Sequence, residues 1–222
     1  MAAREDNLIP ITITPWRADV VSALLLYGVV GLEAADNDSL APGTTAVAFR
    51  DLGAVVSEAQ YSSRIADIAE VEAHRRVVEP IFTRRPFLPA PVGIVFRSRE
   101  ALIRWLELHY VTLTDGLSFV EGRVGARLHL SRRLGEGSDR LDVGHSSAEI
   151  FRTLRQNCAA SVTLKPRESG GRHASAAFLV ERDRWDGFLD VIMEEARQHP
   201  DLMFDHTGPW PPYDFVNMQF GV

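Results

Sequence analysis

RVGARLHL, residues 123–130, alternates without a fault: Val124, Ala126, Leu128 and Leu130 fall on one side of an extended chain, and Arg123, Arg127 and His129 on the other. Successive side chains of a strand point to opposite faces, so this is a half-exposed strand with one apolar face to bury. It stands in mid-chain. The residues before it carry the stripe Leu102, Leu106, Leu113, Leu117 and Val120 at steps compatible with one buried helical face, opened by Ser98 as N-cap. Phe119 and Val120 are themselves apolar, so no Gly/Ser/Pro linker separates that helix from the strand.

Upstream, SALLLYGVVG (22–31) is apolar on both alternating faces, as a central strand covered on each side would be. TTAVAF (44–49) and AVVSEA (54–59) are β-rich and separated by RDLG, which predicts a hairpin. From about Ser63 to Thr83 the period changes to 3.6, with Ile68, Val71, Val78, Ile81 and Phe82 on one face of a helix bent near Pro80. FLPAPVGIVF (87–96) then returns to strand character. Residues 1 to about 20 have no clear period and read as an extension.

Downstream, a polar loop over residues 132–145 leads to Ser146 and Glu149, spaced as a capping box, and to a helix carrying Ile150, Phe151, Leu154, Cys158 and Val162. After KPRESGGRH (165–173), ASAAFLVE (174–181) reads as a strand, Asp183 as the cap of a helix through about Arg197, and DLMFDH and TGPWPPYDFVNMQF follow. The order β, β, β, α, β, α, β, α, β, α, β predicts an α+β fold of two successive ferredoxin-like sandwiches, each a small sheet with helices on one face. The expected division is an extension over 1–20, a first domain over 21–120 and a second over 121–222.

The chain has 222 residues, 45% hydrophobic and 24% charged, enough to bury a core. Its 24 basic against 30 acidic residues give a net charge of −6, so no global positive field gathers phosphate backbones and nucleic acid is not expected as a partner. A single cysteine, Cys158, excludes an intramolecular disulfide and suits a reducing cytoplasm. The longest uncharged stretch, Val20 to Leu32, is shorter than the roughly 18 apolar residues of a membrane span. Neither a membrane nor an export signal is expected.

No GxGxxG, Walker A, GxSxG, HExxH or paired CxxC occurs. His74 and His109 fall on apolar helical faces, where a metal pair is conceivable but core residues satisfied by a backbone carbonyl are expected. His199, Asp201, Asp205 and His206 crowd together in sequence, yet an extended chain sends Asp201 and Asp205 to one face and His206 to the other, against a metal site. Cys158 on a buried helical stripe reads as a small hydrophobe. No catalytic residue, metal or cofactor is therefore expected.

TGPWPPYDFV (207–216) resists a purely structural reading. Three prolines stiffen it, and Trp210, Tyr213 and Phe215 offer large apolar surfaces. It reads as a rigid plug folded back on its own sheet or as a surface that docks a partner; its place near the chain end favours the plug. This string, Gly208, Pro209, Trp210, Pro211, Pro212, Tyr213 and Phe215, resembles the C-terminal signature of the gas vesicle accessory proteins GvpF and GvpL. LLLYGVVG, LGAVVSE and the His74 helix running into LPAPVGIVFRS agree with that family in order and spacing, over about residues 22–216. Pro91 stands where the family usually has an arginine.

The resemblance implies two α+β domains and no active site. It further implies an assembly role in gas vesicles, with the small hydrophobic shell protein GvpA and other gas vesicle accessory proteins as partners. A place in the cytoplasm or in the vesicle as a minor component follows. Two other classes fit the residues alone: a ligand-sensing regulatory module, and a metal or haem enzyme on a ferredoxin-like scaffold with His74 or His109 as axial ligand.

Overall fold

The computed structural model describes residues 23–32, 40–59, 67–133, 143–165 and 173–216. The expected extension over 1–20 and most of the polar loops over 132–145 and 165–173 lie outside them. The architecture is α+β, with two antiparallel sheets.

The first sheet has the order β2-β3-β1-β4, from β1 (Ala23–Gly31), β2 (Thr45–Phe49), β3 (Leu52–Ala59) and β4 (Phe87–Pro89). The predicted hairpin is β2 and β3. The strand predicted over 87–96 is two short ones: β4 pairs with one end of β1, and β5 (Val95–Phe96) with the other. Pro89 and Pro91 have no N–H to give a continuous ladder, so the chain leaves the sheet between them. The register of β1 against β3 shifts between Leu26 and Gly28. At Gly28 β1 and β4 approach so closely that a Cβ would collide with the Phe87 ring and the Leu88 carbonyl, which is why glycine stands there.

Helices cover this sheet on both faces, not on one as the sequence suggests. Leu26, Val29, Ala54 and Val56 face α2 (Arg99–Leu108) and α3 (Tyr110–Val120) in one apolar cluster. The predicted single helix over this region breaks at His109, whose ring sits tilted against that of Trp105, 5.3 Å between centres, instead of joining the buried stripe. Tyr27, Val30 and Val55 share the other cluster with Val78, Ile81 and Phe82 of α1 (Ile68–Arg84). α1 begins at a capping box: the Asp67 carboxylate accepts from the Glu70 N–H at 2.9 Å, and Glu70 from the Asp67 N–H at 3.0 Å. Of its predicted apolar face only the later part is buried, for Ile68 is 84% and Val71 44% exposed.

In the second half, β6 (Arg123–Arg132), α4 (Val143–Arg155), β7 (Ala160–Thr163), β8 (His173–Glu181), α5 (Trp185–Gln198) and β9 (Leu202–Trp210) alternate β-α-β-β-α-β, with strand order β7-β8-β6-β9. Val124, Ala126, Leu128 and Leu130 are buried, as the alternation predicts. Three expectations fail here. α4 starts at Val143, which leaves Ser146 inside the helix, and it ends at Arg155, which puts Cys158 in a turn and Val162 in β7. β7 has four residues, too few to announce a period. α5 follows a 3-10 turn over Arg182–Arg184, so Asp183 is not its cap.

Phe178, Phe188, Ile150 and Leu154 of this half belong to the same cluster as Tyr27, Val30, Ile81 and Phe82 of the first. One apolar core thus runs through both halves.

Near the end of β9, Gly208 has φ +141, and a Cβ there would lie 2.8 Å from the Trp185 ring and 2.9 Å from the Gly125 carbonyl. Gly208→Ala should therefore lower stability by roughly 1–3 kcal/mol in chemical denaturation. Gly187→Ala, in the first turn of α5 with open space around it, should instead be neutral or stabilising by up to about 1 kcal/mol.

Candidate functional site

β9 ends opposite the sheet's central strand, with Trp210 in register with Gly125 of β6. Pro211 and Pro212 then bury themselves, and the chain closes into a 3-10 turn over Tyr213–Phe215, in which the Tyr213 N–H donates to the Pro211 carbonyl at 2.7 Å. The turn is fastened by a fork: Arg127 Nε donates to Asp214 Oδ2 at 2.7 Å and Nη2 to Oδ1 at 2.9 Å. Such bidentate, charge-assisted pairs fix orientation as well as distance. The bond raises the Arg127 pKa above its ordinary value.

The fork sets the C-terminal segment against α1, and a groove of about 280 Å³ opens between them. Val71, His74 and Val78 form one wall, and Trp210, Pro211 and Tyr213 the other. Trp210 is 37% exposed and Val71 44%, so the groove has apolar lips. The rim charges are paired with one another: Arg127 with Asp214, and Arg75 with Glu72 at 2.8 Å and Glu79 at 3.4 Å. Burial, with the Glu79 carboxylate adding to it, pushes the Tyr213 hydroxyl up to about 12, so it stays neutral.

Of the signature residues, the structure gathers Trp210, Pro211 and Tyr213 at the groove; Gly208, Pro209, Pro212 and Phe215 shape the segment without lining it. The segment does pack on its own sheet, but the Trp210 ring is not what plugs it. Val71, Arg127 and Asp214 were not legible as site residues, because Arg127 and Asp214 meet across 87 residues of sequence and Val71 faces Tyr213 across a still longer span. The outward-facing Arg127 of a strictly alternating strand was the one available signal.

His74 is 3% exposed and packs on the Tyr27 ring at 5.1 Å. Its backbone partner is at Ala90, but the contact is weak, for neither ring nitrogen reaches full hydrogen-bond geometry. His199 lies 3.6 Å from Glu195, while Asp201, Asp205 and His206 are exposed; among the described residues no three His, Cys, Asp or Glu side chains group as metal ligands. Burial pushes the Cys158 thiol up to about 11, away from the thiolate a nucleophile needs.

Burial also pulls the His74 pKa below its ordinary 6.5, the backbone at Ala90 offsetting part of the effect. The folded protein then refuses a proton that the unfolded chain accepts, so this group's contribution to stability is lost as pH falls below about 6.5. His74→Leu should be least different from wild type above that pH and progressively more stable than wild type below it, as read from denaturation curves across pH.

A sequence model described as gas vesicle synthesis protein GvpL/GvpF matches residues 23–142 and 142–217. Gas vesicle protein F2 of Halobacterium salinarum is 28% identical over 214 residues, covering 90% of this chain and 95% of that protein. Gas vesicle protein F of Haloferax mediterranei is 28% identical over 213 residues, with the same coverage. The crystal structure of the gas vesicle protein GvpF from an Anabaena species aligns with a TM-score of 0.71 at 16% identity, covering 89% of this chain and 97% of that one, a likeness of fold. With the family model spanning both halves, this chain belongs to the GvpL/GvpF family of gas vesicle synthesis proteins.

Proposed function

We propose that this protein is a non-enzymatic assembly factor for gas vesicles, working in the cytoplasm and at the vesicle, and that it holds the small hydrophobic shell protein GvpA in the groove between α1 and the C-terminal segment. The observation that carries the reading is the groove itself: apolar walls, an exposed tryptophan at its lip and rim charges that neutralise each other. A small hydrophobic shell subunit needs a partner that offers apolar surface inside a polar rim. Trp210 suits the part of anchor, because the prolines on either side leave little backbone freedom to lose on binding. Family membership supplies the vesicle. Among the described residues no helix is long and apolar enough to cross a membrane.

The same reading divides the chain near residue 120 into two units that move as one body. The continuous apolar cluster supports the second point, and the β-α-β-β-α-β order supports a ferredoxin-like second unit.

Trp210→Ala tests the proposal by co-expression with GvpA and pull-down. Since the ring is 37% exposed, the variant should melt close to wild type, yet bind GvpA more weakly by about 2 kcal/mol or more, the size of a hot-spot loss. Capture of GvpA at the wild-type level would contradict it.

A further inference from the structure

A second groove lies where the end of α1 meets the start of β6, and its charge is opposite to that of the whole chain. About 360 Å³ in volume, it is lined by Arg84, Arg85, Arg123 and Arg182, with Glu121 as its one lining carboxylate. Around it the protein carries 30 acidic against 24 basic residues. The last turn of α1 accounts for Arg84, because a cation is favoured at a helix C-terminus. It does not account for Arg123 and Arg182, which arrive from the second half of the chain.

Those two guanidinium groups are held in place by backbone carbonyls and aromatic rings, and the carboxylate that pairs with Arg123, Glu181, does not line the groove. Arg182 donates from Nη2 to the Phe82 carbonyl at 2.9 Å, and its Cζ lies 4.4 Å from the centre of the Phe82 ring. Arg123 donates from Nη1 to the Phe119 carbonyl, and its Cζ is 5.6 Å from the Phe119 ring. A guanidinium has five donors in a rigid fork, so each keeps N–H groups for a further acceptor. Arg123 Nε forms an ion pair with Glu181 at 3.7 Å, too long for a hydrogen bond, which leaves that nitrogen buried without one. Among the described residues Arg182 has no carboxylate partner, and burial lowers its pKa. Arg84 is exposed and unpaired among the described residues.

Arg84, Arg85, Pro86 and Glu121 are also a wall of an adjoining groove of about 550 Å³ that runs on toward Gly31 and Asp51. The combined channel is longer than one oxyanion can fill. We propose that this channel is a docking surface for an acidic peptide segment of a partner protein, whose successive carboxylates engage Arg84, Arg123 and Arg182 in turn. Planar, forked recognition of carboxylate is what arginine does best, and a channel lined by four arginines against the two carboxylates Asp51 and Glu121, on an acidic protein, selects such a segment by charge. The surface is separate from the apolar groove and does not depend on what that groove holds.

The test is fluorescence anisotropy of a labelled oligoglutamate peptide with the full chain at low ionic strength. Wild type should bind it, with affinity falling as salt is added. Arg84→Glu and Arg182→Met should each weaken binding by at least about tenfold, while Arg197→Glu, at an exposed position of α5 that does not line the channel, should change it by no more than about twofold. Should Arg182→Met destabilise the fold through loss of its Phe82 bond, Arg84→Glu still decides, since the exposed Arg84 side chain makes no hydrogen bond or ion pair among the described residues. An equal loss in Arg197→Glu would overturn the proposal, because net charge alone would then explain binding. So would a folded wild type that ignores the peptide, or one that takes pyrophosphate at this channel and not oligoglutamate.

Discussion

The fork between Arg127 and Asp214 is the contact on which the arrangement of the groove depends. It joins the outward face of β6 to the 3-10 turn near the end of the described chain. The Arg127 side chain is 41% exposed and that of Asp214 19%, so water screens the pair and its worth to overall stability is modest, about 1 kcal/mol. Its positional effect is larger than its energy. Tyr213 lies next to Asp214 in the turn, and with the turn unfastened one wall of the groove would leave α1. A weak contact can thus decide where an interaction surface exists without deciding whether the protein folds.

What decides the fold is α1, set against the face of the first sheet that α2 and α3 leave open. Its buried residues Val78, Ile81 and Phe82 share a cluster with Tyr27 and Val30 on one side and with Phe178 and Phe188 on the other. The two grooves lie at the two ends of this same helix, the apolar one along Val71 to Val78 and the cationic one beyond Arg84. One element therefore organises both surfaces. Its first turns remain exposed at Ile68 and Val71, and an apolar face left open beside a groove is a common mark of a docking surface.

Much of this was legible in the sequence, for identifiable reasons. Strands with a strict period of two, such as 123–130, and helices with long stripes, such as Leu102 to Val120, declared themselves because one face of each is buried against a single layer. The break at His109 was not legible, since Leu102, Leu106, Leu113 and Leu117 keep their spacing across it and are all buried. β7 was too short to show alternation, and its neighbour Cys158 continued the helical spacing by accident. The signature string was recognisable as rigid and aromatic, but its meaning hangs on Arg127 and Val71, and no local pattern ties those positions together. The weak contact of His74 with the backbone at Ala90 was likewise out of reach, because it depends on what surrounds a buried ring.

The central claim is that the groove between α1 and the C-terminal segment, and not another exposed apolar surface, meets GvpA. Leu108 and Val111 at the α2–α3 junction offer the natural comparison, being 82% and 68% exposed. The most direct measurement places a photo-crosslinking amino acid at Val71 in one variant and at Leu108 in another, each co-expressed with GvpA. The account predicts an adduct with GvpA from position 71 and none from position 108. An adduct from position 108 alone would contradict it.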